Sequence, residues 1–268
     1  MNINGWDCLK PASMVSLCSN FVPKVLGGLS CITPLIHRSQ RHFNSTLNHS
    51  LALERQPDQL QYGHYQIAPK NECSMHETFH PVIHLPESYD VYDFTTGYDP
   101  NRERQEYGIG RYNEARAGMY TEPQFAKDAR IVHMGIDIAA PVGTPIYAFT
   151  RCRIIHQGIN PLPQDYGGTI VTEQWVEGRW LYALYGHLAH SSLTLHPANE
   201  WMEIGTRIAT IGDQSENGGW NPHLHFQLSI NRPPTYDMPG AVSLNDRENG
   251  LRIFPDPRII LGPLYEDS

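Results

Sequence analysis

A mainly β fold is predicted by three features of this 268-residue chain. Its 21 prolines and 22 glycines are spread along the sequence, which favours short strands and frequent turns over long helices. Residues 223–230 alternate strictly, with His223, His225, Gln227 and Ser229 on one parity and Leu224, Phe226, Leu228 and Ile230 on the other. A period of two marks a half-buried strand whose apolar face packs on a core. No internal repeat and no heptad pattern offers a helical alternative.

From the N-terminus, residues 1–80 mix polar residues with short apolar bursts and hold no period, so disorder or loose packing is expected there. Residues 81–130 carry aromatic and glycine punctuation, as in Tyr92-Asp93-Phe94 and Tyr107-Gly108-Ile109-Gly110, and are expected to wrap the core as ordered loops. A β-rich core is placed at 131–230. Its strand candidates are Thr144 to Phe149, Thr169 to Gln174, Trp180 to Tyr185 and His223 to Ile230. Pro233-Pro234 and Phe254-Pro255-Asp256-Pro257 predict an extended C-terminal tail over 231–268. A chain of this length can bury a substantial core in one or two domains.

Within the core, His223 and His225 share one strand face, about 6 to 7 Å apart. One can ligate Zn²⁺ at about 2.0 to 2.1 Å while the other stands beside the reacting groups; the bland reading is two solvent-facing histidines. Upstream, His133 and Asp137 have helical i, i+4 spacing, yet Ile131-Val132-His133-Met134-Gly135-Ile136-Asp137-Ile138 is β-branched and broken by glycine, which disfavours a helix. In an unbroken strand the pair would lie about 13 Å apart, so Gly135 is read as the point where the backbone turns Asp137 back towards a shared ion. A His-Asp-His set leaves a fourth position open, as catalytic zinc sites do. The alternative makes His133 a strand-end residue and Asp137 a turn residue.

These motifs resemble those of the lysostaphin-type zinc endopeptidases, which cut peptide bonds in bacterial peptidoglycan. The resemblance runs from about Ile131 to Ile230. His133 and Asp137 match the family's His-x-x-x-Asp pair, and His225, the second histidine of His-x-His, matches the third ligand. His187, in Tyr185-Gly186-His187-Leu188, and His223 match the two catalytic histidines. Ala140-Pro141-Val142-Gly143-Thr144-Pro145 and Ile204-Gly205-Thr206-Arg207-Ile208 are similar to family text as well. The chain departs at Glu216-Asn217-Gly218-Gly219-Trp220-Asn221-Pro222, where a short Ser/Thr-Gly-Pro approach is usual, and at Arg151-Cys152-Arg153, where Gly-x-Val is usual. The resemblance implies an antiparallel sandwich-like or barrel-like β core, one Zn²⁺, and a peptide or peptidoglycan substrate. His187 and His223 then divide the roles of base and oxyanion stabiliser, for which imidazole is suited near neutral pH. A structural alternative makes His187 a strand-end residue bonded to backbone.

His76-Glu77-Thr78-Phe79-His80 satisfies His-Glu-x-x-His, but that pattern works only on a helix, and Pro81 leaves barely two turns; it is read as coincidence. His190 and His196 are read as loop residues. A formal net charge of −8 and the lack of a basic stripe argue against nucleic-acid binding. No apolar run reaches the length of a membrane span. Met14 to Leu29 is interrupted by Pro23 and Lys24, and Leu29-Ser30-Cys31 makes a poor lipobox. Cys8, Cys18, Cys31, Cys73 and Cys152 form no close metal pair and fit a reduced, cytoplasmic setting, whereas a wall substrate requires export. Two further functions are consistent with the sequence: a non-catalytic peptide-binding or regulatory module on the same scaffold, and an intracellular metal-dependent amide hydrolase.

Overall fold

Short strands follow one another in chain order with few helical interruptions. The computed structural model describes residues 78–99, 101–126 and 128–266, all within one compact unit. The expectations for residues 1–77, with Cys8, Cys18, Cys31, Cys73, His76 and Glu77, lie outside the described residues. β1 (Asp90–Val91) and β2 (Gly108–Gly110) lead through a short α1 (Pro123–Ala126) to β3 (Arg130–His133) and β4 (Ile136–Ala139). Then come β5 (Pro145–Tyr147), β6 (Cys152–Asn160), β7 (Gly167–Val176) and β8 (Arg179–Leu188). A 3₁₀ turn, His190–Thr194, precedes β9 (Trp201–Met202), β10 (Arg207–Thr210) and β11 (His223–Ser229), and the described chain closes with β12 (Ala241–Ser243), α2 (Arg247–Ile253) and α3 (Arg258–Leu261).

The main sheet runs in the order β1-β2-β4-β11-β8-β7-β6-β9. Its pairs are antiparallel except for β1 with β2, and it does not close on itself, so the architecture is layered and not a barrel. Two small sheets flank it, β10-β5 and β12-β3. Side-chain parity then separates two apolar layers. Leu224, Phe226 and Leu228 of β11, Leu181, Ala183 and Tyr185 of β8, and Ile136 and Ile138 of β4 face Ile146 and Ile208 of the β5/β10 ribbon. Tyr182 and Leu184 of β8 point the other way, into a layer with Val132, Met134, Tyr166, Met238, Val242 and Phe254.

Two expectations are corrected. The strand at 223–229 is buried on both sides, because residues after 231 fold back over its polar parity: Gln227 and Ser229 are as enclosed as Phe226. Those residues are not an extended tail. β12 pairs antiparallel with β3, Phe254 and Ile260 are buried, and the prolines of 254–257 separate two short helices, as proline does when it begins a helix it cannot continue. Thr78-Phe79-His80 is not helical; Phe79 packs edge-on against Phe149 instead. No helix among the described residues is long and apolar enough to cross a membrane.

Candidate metal centre

β4 and β11 lie side by side with His225 directly opposite Asp137, and both point to the second face of the sheet, under the β3/β12 ribbon. His133 ends β3. The chain bends at Gly135, and the absence of a side chain there permits a close approach. A Cβ there would stand 2.6 Å from the His225 ring and 2.9 Å from the Phe226 carbonyl oxygen. Gly135 therefore serves close approach and not a left-handed backbone, since its φ is not positive.

The ligand atoms converge. His133 Nε2 lies 3.1 Å from His225 Nδ1 and 3.2 Å from Asp137 Oδ1, and His225 Nδ1 lies 3.0 Å from Asp137 Oδ1. The remaining nitrogens fix the tautomers of the neutral rings. His133 Nδ1 is 2.9 Å from the Arg111 carbonyl, which only accepts, so Nδ1 carries the proton and Nε2 the lone pair. Gln227 donates Nε2 to the Pro239 carbonyl at 3.2 Å, which turns its Oε1 to His225 Nε2 at 2.9 Å. That places the His225 proton on Nε2 and the lone pair on Nδ1. Three lone pairs thus meet with no proton between them, a repulsive arrangement unless a cation sits among them. Bonds of about 2.0 to 2.1 Å at tetrahedral angles put donors about 3.3 Å apart, close to the spacings observed. The set His133, Asp137 and His225 could hold one metal ion.

His187 reaches the same face by a bulge. Gly168 pairs with Leu188 and Ile170 with Tyr185, so Gly186 and His187 together oppose one residue of β7. Simple alternation would send His187 to the side of Tyr185; with φ at +63° it turns instead to the side of Gly186, while Leu188 resumes the apolar parity. Bulges re-aim side chains in this way. Gly186 in turn admits the Tyr166 ring, whose Cδ1 would lie 2.6 Å from a Cβ. The His187 and His223 rings meet with centres 4.2 Å apart and planes tilted by 41°. His187 Nδ1 donates to the Asn217 carbonyl at 2.9 Å and His223 Nδ1 to the Asn221 carbonyl at 2.6 Å, so each keeps a basic Nε2. That of His223 is 3.8 Å from Asp137 Oδ1. The departing segment 216–222 therefore supplies both carbonyls that orient these rings. It interlocks with the β6–β7 loop, where a Cβ on Gly218 would lie 1.9 Å from the Asp165 carbonyl oxygen.

Burial and neighbours set the charges. Burial, reinforced by the Arg116 guanidinium, lowers His133 to about 4. Burial beside His223 holds His187 well below the usual imidazole range, and burial also lowers His223. For Asp137, burial acts upwards, but His133 and Arg116 outweigh it and leave the carboxyl well below the usual range. At neutral pH His133, His187 and His223 are neutral imidazoles and Asp137 is a carboxylate, the forms in which such groups ligate metal or accept a proton. A cavity of about 320 Å³ is lined by residues of both interlocked loops, among them Pro161, Leu162, Glu216 and Gly218, and by His190, and by none of His133, Asp137, His187, His223 and His225.

Residues 131–236 match the family model described as Peptidase family M23. Among solved structures, the chain is similar to a zinc-containing peptidase from Vibrio cholerae, at 24% identity over 45% of this chain and 33% of that one, TM-score 0.32. It is similar to the catalytic domain of the antimicrobial peptidase lysostaphin from Staphylococcus simulans, at 23% identity over 50% and 89%, TM-score 0.36. A prophage-encoded M23 protein from Enterococcus faecalis, its catalytic domain, is 21% identical over 53% and 92%, TM-score 0.36. The chain spans only about a third of the Vibrio protein's length. No curated protein matches the chain.

Sequence reasoning missed the residues that orient the candidate ligands His133, Asp137 and His225. Gln227 shares the parity of His225, and that was its only signal. Arg111, Arg116 and Glu114 lie before the matched range, and nothing in their spacing marks them. His190 begins the 3₁₀ turn, and His196 lies in a loop with Nε2 2.8 Å from the Arg207 carbonyl.

Proposed function

We propose that residues 131–236, which match the M23 peptidase family model, form a zinc-dependent endopeptidase, with His133, Asp137 and His225 as metal ligands, His187 and His223 as catalytic residues, and peptide crosslinks of peptidoglycan as substrate. The convergence of three unprotonated donor atoms carries this reading. Nitrogen and oxygen donors in a compact three-residue set favour zinc among divalent ions. When bound, such an ion polarises a carbonyl and acidifies water. Of His187 and His223, each with Nδ1 tied to a backbone carbonyl, one presents Nε2 as the base that takes the proton of the attacking water and returns it to the leaving amine. The other stabilises the negative charge developing on the carbonyl oxygen. Burial keeps both rings neutral at rest and so competent as bases. The resemblance of the motifs, and not the chemistry of the rim, supports a wall substrate.

Metal analysis of purified protein, followed by digestion of purified peptidoglycan and of soluble peptides with product masses identifying the bond, tests the proposal. Zinc at one ion per chain with crosslink cleavage is expected. Cleavage of soluble peptides alone would move the substrate to an intracellular amide, and zinc binding without any cleavage would make the domain a binding module.

A further inference from the structure

Arg116 is the largest fully buried side chain of the described residues, and it belongs to none of the matched family range. Its Nη1 donates to Asp137 Oδ2 at 2.6 Å and contacts the Tyr120 hydroxyl at 3.3 Å. Its Nε donates to Glu114 Oε2 at 2.9 Å, its Nη2 reaches the Arg111 carbonyl at 3.3 Å, and its face lies 5.0 Å from the Phe94 ring centre. Glu114 in turn accepts from Arg111 Nε at 3.0 Å and from the Phe94 amide at 3.0 Å. The fork spans two carboxylates at a fixed angle, which a lysine ammonium cannot do.

The backbone is shaped around this contact. Gly110 pairs with Asp137 across β2 and β4, and a Cβ at Gly110 would lie 2.8 Å from Arg116 Nη2 and 3.2 Å from Asp137 Oδ2. Residues 113–116 run against β3, with Asn113 N to the His133 carbonyl at 2.8 Å and Arg116 N to the Ile131 carbonyl at 2.8 Å. The same stretch offers the Arg111 carbonyl that sets the His133 tautomer. One short segment therefore orients two of the three proposed ligands.

We infer that Arg116 is a positioning residue of the metal centre: by occupying Asp137 Oδ2 it confines the carboxylate to one-oxygen ligation through Oδ1 and so keeps the fourth position open. The inference rests on the metal reading above. A carboxylate free at both oxygens can bind a cation through both and raise its coordination number. Removing Arg116 alone would leave two buried carboxylates, Glu114 and Asp137, with one cation fewer, so the informative variant is Arg116→Gln with Glu114→Gln, which removes a cation and an anion together.

The test is the visible spectrum of cobalt-loaded protein, since tetrahedral Co²⁺ absorbs several-fold more strongly than five- or six-coordinate Co²⁺ and so reports geometry, not turnover. Wild-type protein should show the intense tetrahedral bands. The double variant should show bands weakened several-fold, and about 10- to 100-fold weaker zinc binding in competition with a chromogenic chelator, the usual cost of losing an outer partner of a ligand. Arg116→Lys, which keeps the charge and loses the fork, should also weaken the bands, and it decides the matter if the double variant does not fold. An unchanged spectrum in the variant, whatever its affinity, overturns the positioning role alone. Wild-type protein that takes up no cobalt overturns the metal reading and this inference with it.

Discussion

The two faces of β11 are built by different parts of the chain. Leu224, Phe226 and Leu228 pack on β4, β8 and the β5/β10 ribbon, all within the range that matches the family. His225, Gln227 and Ser229 look the other way, and what covers and orients them comes largely from outside or at the edge of that range: Pro239 on Gln227, Met238 on Tyr166, and Arg111 and Arg116 on His133 and Asp137. One face is a nonspecific apolar layer in which volume and parity suffice. The other is a polar network in which every proton has a place, and such networks lose function when one partner is removed even if the fold survives.

Substitutions on the two faces should therefore separate stability from chemistry. Phe226→Ala, on the apolar face at full burial, should cost about 3–5 kcal/mol of unfolding free energy while leaving the zinc affinity of the folded fraction near that of wild type; denaturant titration beside chelator competition measures both. On the opposite face, His187→Ala and His223→Ala should keep zinc and lose about a hundredfold or more in rate, with circular dichroism confirming the fold. Gln227→Leu removes the acceptor that fixes the His225 tautomer and should weaken zinc binding about 10- to 100-fold. A Gln227→Leu variant with unchanged affinity would show that the two faces are less distinct than their hydrogen bonds indicate.

Acid should act on the polar face alone. In metal-free protein His133 takes up its proton only near pH 4 when folded, against an ordinary value of 6.5, and His187 and His223 are lowered as well. Between those limits the unfolded chain binds protons that the folded chain does not. The stabilising contribution is complete above about pH 6.5 and is lost as pH falls towards 4. The urea midpoint of metal-free protein should be lower at pH 5 than at pH 7; an equal or higher midpoint at pH 5 would contradict the buried, neutral state of these rings.

Much of this was legible in the sequence, and what was not has physical reasons. Alternation at 223–230 located β11 because period-two patterning is local, and the β-branched run around His133 excluded a helix for the same reason. The break at Gly135 was legible as a position but not as a cause, since only the folded state shows that His225 occupies the space a Cβ would take. The bulge that turns His187 to the second face left no trace in the pattern: Tyr185-Gly186-His187-Leu188 read by simple alternation puts His187 with Tyr185. The proline-rich residues after 231 resembled a tail because proline marks interruptions, whereas their burial depends on Met238, Val242 and Phe254 meeting Val132 and Met134, pairings between distant segments that no local period announces. Arg116 is the extreme case. A buried arginine is tolerated only with its carboxylate partners, and one of those partners, Asp137, is 21 residues away.

The most direct measurement is zinc content per chain, by elemental analysis after exhaustive dialysis, for wild type, His225→Ala and His223→Ala. Convergence of the lone pairs of His133, Asp137 and His225 predicts one zinc in the wild type, little in His225→Ala and one in His223→Ala. Zinc retained by His225→Ala and lost from His223→Ala, or no zinc taken up by the wild type, would contradict it.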